Sequence, residues 1–130
     1  MARRRPVIER IDEVLEQLRQ LSEDGIPVIV EGSKDEAALR SLGVLGKVYK
    51  IGSAATSLPM LAETLSIQAG EAIMLTDFDH QGDSLAQELK RLLISHGVNV
   101  ETGIRNRLRG LTRASHVEGL PRRLARLRNQ

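Results

Sequence analysis

The sequence predicts an α/β fold, in which helices cover both faces of a central, mostly parallel four-stranded sheet, giving three layers. Short apolar segments alternate along the chain with longer segments of helical periodicity. Two of the apolar segments, 28–30 and 72–76, are almost continuously hydrophobic, which is typical of strands buried on both faces. Strands that alternate with helices of this length favour right-handed crossovers between parallel neighbours.

The first half of the chain alternates between helical and extended segments. The predicted elements are an amphipathic helix at 7–23, a strand at 28–30, a helix from 33 to about 42, a strand at 47–51 and a small-residue turn at 52–56. Gly25 and Pro27 end the first helix because both disfavour its continuation. Ser33 and Glu36 have the spacing of a capping box, which predicts that Ser33 caps the second helix.

The second half continues this alternation and then becomes less regular. The predicted elements are a helix near 58–65, a strand at 72–76, a helix between Gly82 and Gly97, a strand at 98–102 and one short basic helix after Pro121. Ser84 and Gln87 have capping-box spacing, so we predict that Ser84 caps the third of these helices. Residues 104–120 show too little periodicity to predict an element.

Composition and charge limit the kind of protein this is. The chain has 130 residues and no cysteine, which excludes disulfides, thiolate zinc sites and a cysteine nucleophile. No segment is long and apolar enough to span a bilayer, and the basic N-terminus leads into an amphipathic helix. We therefore expect a cytoplasmic protein with an N-terminal helix at 1–25, an α/β domain at 26–103 and an arginine-rich extension at 104–130.

The charge is concentrated in that extension. Residues 104–130 hold one acid and eight arginines, a formal charge of +7, at positions 105, 107, 109, 113, 122, 123, 126 and 128. The first 103 residues carry −5. This asymmetry favours a polyanionic partner such as nucleic acid, whose backbone we expect Arg105, Arg107, Arg109 and Arg113 to contact. The alternative is a solvated helical face that happens to be rich in arginine.

Three acidic residues follow predicted strands. Glu31 ends the strand at 28–30, and Asp77 and Asp79 follow the strand at 72–76. The carboxyl ends of parallel strands meet at one edge of a sheet, and residues two apart in extended backbone point to the same side. Oxygen ligands favour Mg²⁺, with Mn²⁺ as a substitute, and a site of this kind holds one ion or two about 4 Å apart.

Other polar residues near these acids have simpler interpretations. We interpret Asp83 as the cap of the following helix and His80 as a loop residue. Asp35 lies in a first helical turn, where the helix dipole favours an acid. Lys34 is either an exposed helix residue or a phosphate contact, and the sequence leaves both interpretations open.

The two acidic segments together resemble the Toprim domain, a metal-binding module of bacterial primases, topoisomerases and some nucleases. The first segment is Val-Ile-Val-Glu-Gly at 28–32, and the second runs from Ile73 through Asp-Phe-Asp to Gly82. The resemblance implies that Glu31 is a metal ligand and the general acid/base, and that Asp77 and Asp79 bind metal. Topoisomerase-type members carry a further acid where this chain has Gln81. A two-metal site of their type would therefore require Asp83 to replace that acid.

The resemblance also narrows the function. A topoisomerase needs a tyrosine nucleophile on a separate domain and a bacterial-type primase needs a zinc domain, so the chain looks like the small stand-alone Toprim proteins related to ribonucleases that mature ribosomal RNA. The segment 116–120 is loosely similar to one in those nucleases, but we assign His116 no chemical role from it. We expect a Mg²⁺-dependent nuclease that prefers structured RNA to DNA.

Two alternatives stay open. One is a non-catalytic module that binds nucleic acid or ribosomal particles. The other is a phosphatase with Asp77 as nucleophile, which the preceding Glu-Gly strand disfavours. The exposed face of helix 7–23 offers a surface for a dimer, but no residue pattern requires one.

Overall fold

The computed structural model describes residues 5–52 and 57–130. Its elements are, in chain order, α1 (Val7–Glu23), β1 (Val28–Val30), α2 (Ser33–Ser41), β2 (Val48–Lys50), α3 (Leu58–Gln68), β3 (Glu71–Met74), α4 (His80–Ser95), β4 (Asn99–Glu101), α5 (Gly103–Thr112), a short 3-10 helix (Val117–Gly119) and α6 (Leu120–Arg128). Among these described residues, no helix combines the length and the apolar character that crossing a bilayer requires. Residues 53–56 of the predicted turn at 52–56 lie outside the described residues.

The four strands form one sheet in the order β2-β1-β3-β4, and every neighbouring pair is parallel. This confirms the predicted α/β class and the four-stranded sheet. In the central strand β1, Val28 and Val30 face one side of the sheet and Ile29 faces the other. Both sides are buried, which explains why β1 and residues 72–74 of β3 are apolar.

Helices cover both faces of this sheet. On one face, α1, α2, α5 and α6 share a hydrophobic cluster to which they contribute Ile11, Leu39, Ile104 and Leu124, respectively. On the other face, α3 and α4 pack around Leu65. The C-terminal helices therefore belong to the same hydrophobic core as α1.

The two predicted helix caps are wrong by one and by five residues. Gly32, and not Ser33, occupies the N-cap of α2, where its N–H donates to the Asp35 carboxylate at 2.9 Å. Helix α4 begins at His80, because the Asp79 side chain accepts a hydrogen bond from the Gly82 N–H at 2.7 Å and caps the helix there. Gly82 therefore lies inside the first turn of α4 and does not separate it from the preceding loop.

Helix α5 (Gly103–Thr112) is an element that the sequence analysis missed. Ile104, Leu108 and Leu111 recur at helical spacing and mark its inner face, with Ile104 and Leu108 fully buried. The arginines between them and Gly110 obscured this short stripe. The predicted short basic helix after Pro121 is present as α6, with this proline in its first turn.

Candidate functional site

The turn from β3 into α4 is held in place by Gly82. The Thr76 hydroxyl donates to the Gly82 carbonyl at 2.8 Å, while the Gly82 N–H donates to Asp79. A Cβ atom on Gly82 would lie 1.8 Å from the Asp77 carbonyl oxygen, so no other residue fits without moving the backbone. The first turn of α4 therefore approaches the end of β3 closely enough to bring Asp77 and Asp79 to one place.

Glu31 joins this turn from the neighbouring strand. Its Oε2 accepts a hydrogen bond from the Asp77 backbone N–H at 2.7 Å, which links the ends of β1 and β3 as the sequence predicted. Burial raises the pKa of the Glu31 carboxyl above its ordinary value, and the charges of Asp77, Asp79 and Asp35 raise it further. The hydrogen bond from Asp77 opposes this shift without cancelling it.

The two aspartates meet a histidine from the C-terminal region. One potential ligand atom of each of Asp77, Asp79 and His116 lies within 4.8 Å of the others. His116 Nε2 is 3.4 Å from Asp79 Oδ2. The Val117 N–H donates to Asp77 Oδ1 at 2.9 Å, so backbone contacts hold His116 beside the turn.

This arrangement differs from the predicted ligand set. The sequence grouped Asp77 and Asp79 with Glu31, whereas the structure gathers the two aspartates with His116 and places Glu31 on the Asp77 backbone. His116, to which the sequence assigns no chemical role, is therefore a further potential ligand. The only signal for it was the loose similarity of segment 116–120, because 37 residues separate His116 from Asp79 along the chain.

Two further predicted residues lie at the start of α2. Asp35 is buried, and this burial, followed by the charge of Asp77, raises the pKa of its carboxyl. It adds a fourth acid to the same edge of the sheet. Lys34 is exposed in the first turn of α2, and its contact with phosphate stays a prediction.

Asp83 has a different role from the predicted one. It lies inside α4 and forms salt bridges with Arg105 at 2.9 Å and Arg109 at 2.6 Å. The hydrogen bond from Arg105, followed by that from Arg109, holds the pKa of Asp83 below its ordinary value. Asp83 is therefore neither the helix cap nor a replacement for the acid that is missing at Gln81.

The four arginines predicted to contact nucleic acid divide into different environments. Arg105 is only 5% exposed, and its guanidinium donates to the carbonyls of Thr76 and Asp77. We therefore assign Arg105 a positioning role in place of the predicted contact. Arg109 binds Asp83, and Arg107 donates to a neutral glutamine of α1 at 2.6 Å. Arg113 is exposed at the C-terminal end of α5.

Comparison with known proteins places this site in a family context. A family profile described as the Toprim domain matches residues 25–102. A UPF0292 protein of Methanosarcina acetivorans is 34% identical over 125 residues, which cover 95% of this chain and 85% of that protein. One from Pyrococcus abyssi is 39% identical over 98 residues, 74% of this chain and 68% of that protein. A solved structure of an Aquifex aeolicus protein superposes with a TM-score of 0.72 at 26% identity, covering 82% of this chain and 94% of that one.

Proposed function

Since the chain belongs to the Toprim domain family, whose members carry out metal-dependent chemistry on nucleic acids, we propose that it is a divalent-metal-dependent nuclease that cleaves structured RNA. The observation that carries this proposal is the convergence of Glu31, Asp77 and Asp79 at one edge of the sheet. Within residues 5–52 and 57–130, none of these three pairs with a lysine or an arginine. An unneutralised acidic cluster at this position favours a bound cation.

The residues present fit such a cation. Asp77, Asp79 and His116 would hold it, because their ligand atoms are already within 4.8 Å of one another. Two carboxylates suit Mg²⁺, while the imidazole makes Mn²⁺ a better match for this set than for carboxylates alone. When bound, the ion would neutralise charge on a phosphodiester group. We propose a single ion, since Asp83 is held by two arginines and Gln81 offers no carboxylate.

Glu31 is our candidate for the general acid/base. Its carboxyl is oriented by the hydrogen bond from the Asp77 N–H, and burial raises its pKa above the ordinary value. In this position Glu31 would accept a proton from the attacking water or return one to the leaving oxygen. Arg105 acts on the site indirectly, because it holds the carbonyls of Thr76 and Asp77.

A cleavage assay tests this proposal. Purified protein is incubated with Mg²⁺ or Mn²⁺ and with structured RNA, single-stranded RNA and duplex DNA. We expect metal-dependent cleavage of structured RNA that Glu31→Gln reduces by about 100-fold or more. Glu88→Gln, which changes an exposed glutamate of α4, serves as the control and should cleave like the wild type. If folded, metal-binding wild type cuts none of these substrates, the protein is not a nuclease.

Gln81 favours one alternative. This exposed residue of α4 stands where topoisomerase-type members carry an acid, so the site is less acidic than theirs. A non-catalytic module that binds RNA or ribosomal particles would explain that difference. RNA binding that survives Glu31→Gln, together with no cleavage under any metal condition, would support this alternative.

A further inference from the structure

We propose that a cleft between α5 and α6 binds the backbone phosphates of the nucleic acid beside the metal centre, an inference that rests on the proposed function. The cleft has a volume of about 380 Å³. Its charged lining consists of one acid, Glu118, one histidine, His116, and four arginines at positions 113, 122, 123 and 126. None of these arginines belongs to a strand. Arg122, Arg123 and Arg126 were not among the predicted contacts.

The arginines of the cleft differ from three of the four other arginines of the C-terminal region, which form salt bridges. Arg105 and Arg109 bind Asp83, and Arg128 binds Asp12 at 2.7 Å. By contrast, in the part of the chain that the structure describes, no arginine of the cleft forms a salt bridge with a carboxylate. These guanidinium groups are available for an anion that the protein does not supply.

The cleft shares a residue, His116, with the proposed metal centre. His116 lines the cleft and also lies within 4.8 Å of potential ligand atoms of Asp77 and Asp79. The adjoining Ser115 lines it too, and its carbonyl accepts a hydrogen bond from the Phe78 N–H at 2.9 Å. A polyanion that reaches the metal centre would therefore pass the arginines, which could hold phosphates next to the reacting one.

The backbone at Arg113 supports a role for its side chain. Arg113 ends α5 with φ of 57°, the left-handed conformation in which glycine is the usual residue. Among the described residues, it is the only non-glycine residue with positive φ. An arginine at a strained position that lines the cleft indicates that the side chain is used.

Arg123 shows that the cleft is partly organised before any ligand binds. Its Nε donates to the Thr112 carbonyl at the end of α5, at 2.8 Å, which leaves its two terminal nitrogens for another acceptor. Arg122 and Arg126 are exposed and lie one helical turn apart on α6. Several guanidinium groups at successive positions suit a chain of phosphates better than a single one.

RNA binding measured apart from cleavage tests this inference. Fluorescence anisotropy follows a labelled RNA hairpin with a stem of about 16 base pairs, the class of substrate proposed above. The assay uses the Glu31→Gln protein with Mg²⁺ and, separately, the wild type in EDTA, so that the RNA stays intact. The test variant is Arg122→Ala/Arg126→Ala. The control, Lys90→Ala/Arg91→Ala, also removes two exposed positive charges but from α4, on the opposite face of the sheet.

We expect the cleft variant to bind RNA about tenfold more weakly and to lower the slope of log affinity against log salt by about 1.8, for two lost phosphate contacts on a duplex. The control should keep the wild-type slope. Equal binding by the two variants, or no RNA binding by the wild type, would overturn the inference. If a mononucleotide competes as well as the oligonucleotide, the cleft binds a small phosphate and the claim for a nucleic-acid backbone fails.

Arg113→Gly provides a second test. Glycine relieves the left-handed backbone, so the melting temperature should be equal to or above that of the wild type while RNA affinity falls. Unchanged affinity would contradict a role for this side chain.

These binding results are independent of catalysis. If no RNA is cut but the cleft variants still bind weakly, the nuclease proposal fails and the cleft assignment stands.

Discussion

Glu31 and Asp83 are carboxylates at the same edge of the sheet, but the fold treats them in opposite ways. Asp83 is bound by Arg105 and Arg109, which hold its pKa below the ordinary value. Glu31 faces other acids, and burial raises its pKa. The cation proposed at Asp77 and Asp79 would account for this difference, because it would supply positive charge beside Glu31.

The salt bridge between Asp83 and Arg105 also helps to position Asp77 and Asp79. Arg105 Nη2 donates to both Asp83 Oδ1 and the Asp77 carbonyl, and its Nε donates to the Thr76 carbonyl. The salt bridge thus fixes an arginine that shapes the turn carrying Asp77 and Asp79, the proposed metal ligands. Asp83 contributes to the site through the backbone, and Asp77 and Asp79 through their side chains.

Gly82→Ala should have the largest effect because it disturbs the acidic cluster and the Asp83 salt bridges at the same time. A methyl group 1.8 Å from the Asp77 carbonyl would push α4 away from the turn and displace both Asp79 and Asp83. We expect the free energy of unfolding to fall by about 3 kcal/mol or more. Urea denaturation measures it. Gly110→Ala is the control: it has open space in α5 and should raise stability by about 0.5 to 1 kcal/mol.

Adding a divalent cation should stabilise the protein through the acidic cluster and not through Asp83. An ion at Asp77, Asp79 and His116 stabilises the folded state by about 2.7 kcal/mol when its concentration is 100 times its dissociation constant. Thermal unfolding with and without Mn²⁺ measures this stabilisation. Asp77→Asn should abolish it, whereas Asp83→Asn should retain most of it. Equal loss in both variants would show that cation binding depends on Asp83 as much as on Asp77.

Removing the charge of Asp83 should destabilise the protein without any metal. Asp83→Asn leaves the buried guanidinium of Arg105 without its counter-charge, and we expect a loss of about 1 to 2 kcal/mol. Asp12→Asn breaks the exposed pair with Arg128 and should cost less than about 0.5 kcal/mol. If both variants lose the same small amount, burial of Arg105 does not matter to stability.

The sequence predicted the positions of Glu31 and Asp77 better than the partners of the arginines. Glu31 and Asp77 could be placed together because they follow buried strands, and the parallel sheet brings strand ends to one edge. The partners of Arg105 could not be predicted, since α5 was not recognised and its orientation depends on packing against α1. His116 was missed for the same reason: its position depends on backbone contacts between segments far apart in the chain.

The smallest expected effect is a difference in pH dependence, measured in EDTA. A raised folded pKa means that Glu31 contributes its stability below its ordinary pKa of 4.5 and loses it as pH rises through the folded pKa. Asp83, with a lowered pKa, contributes stability above its ordinary 3.8 and loses it as pH falls through the folded pKa.

Glu31→Gln should therefore match the wild type at low pH and exceed it by a few tenths of a kcal/mol at neutral pH, since solvent screens this half-buried group. Asp83→Asn should also approach the wild type at low pH but fall below it as pH rises. Urea denaturation between pH 3 and pH 7 gives both difference curves. Curves that diverge in opposite directions support the distinction between an acid kept for a cation and an acid used by the scaffold, and parallel curves contradict it.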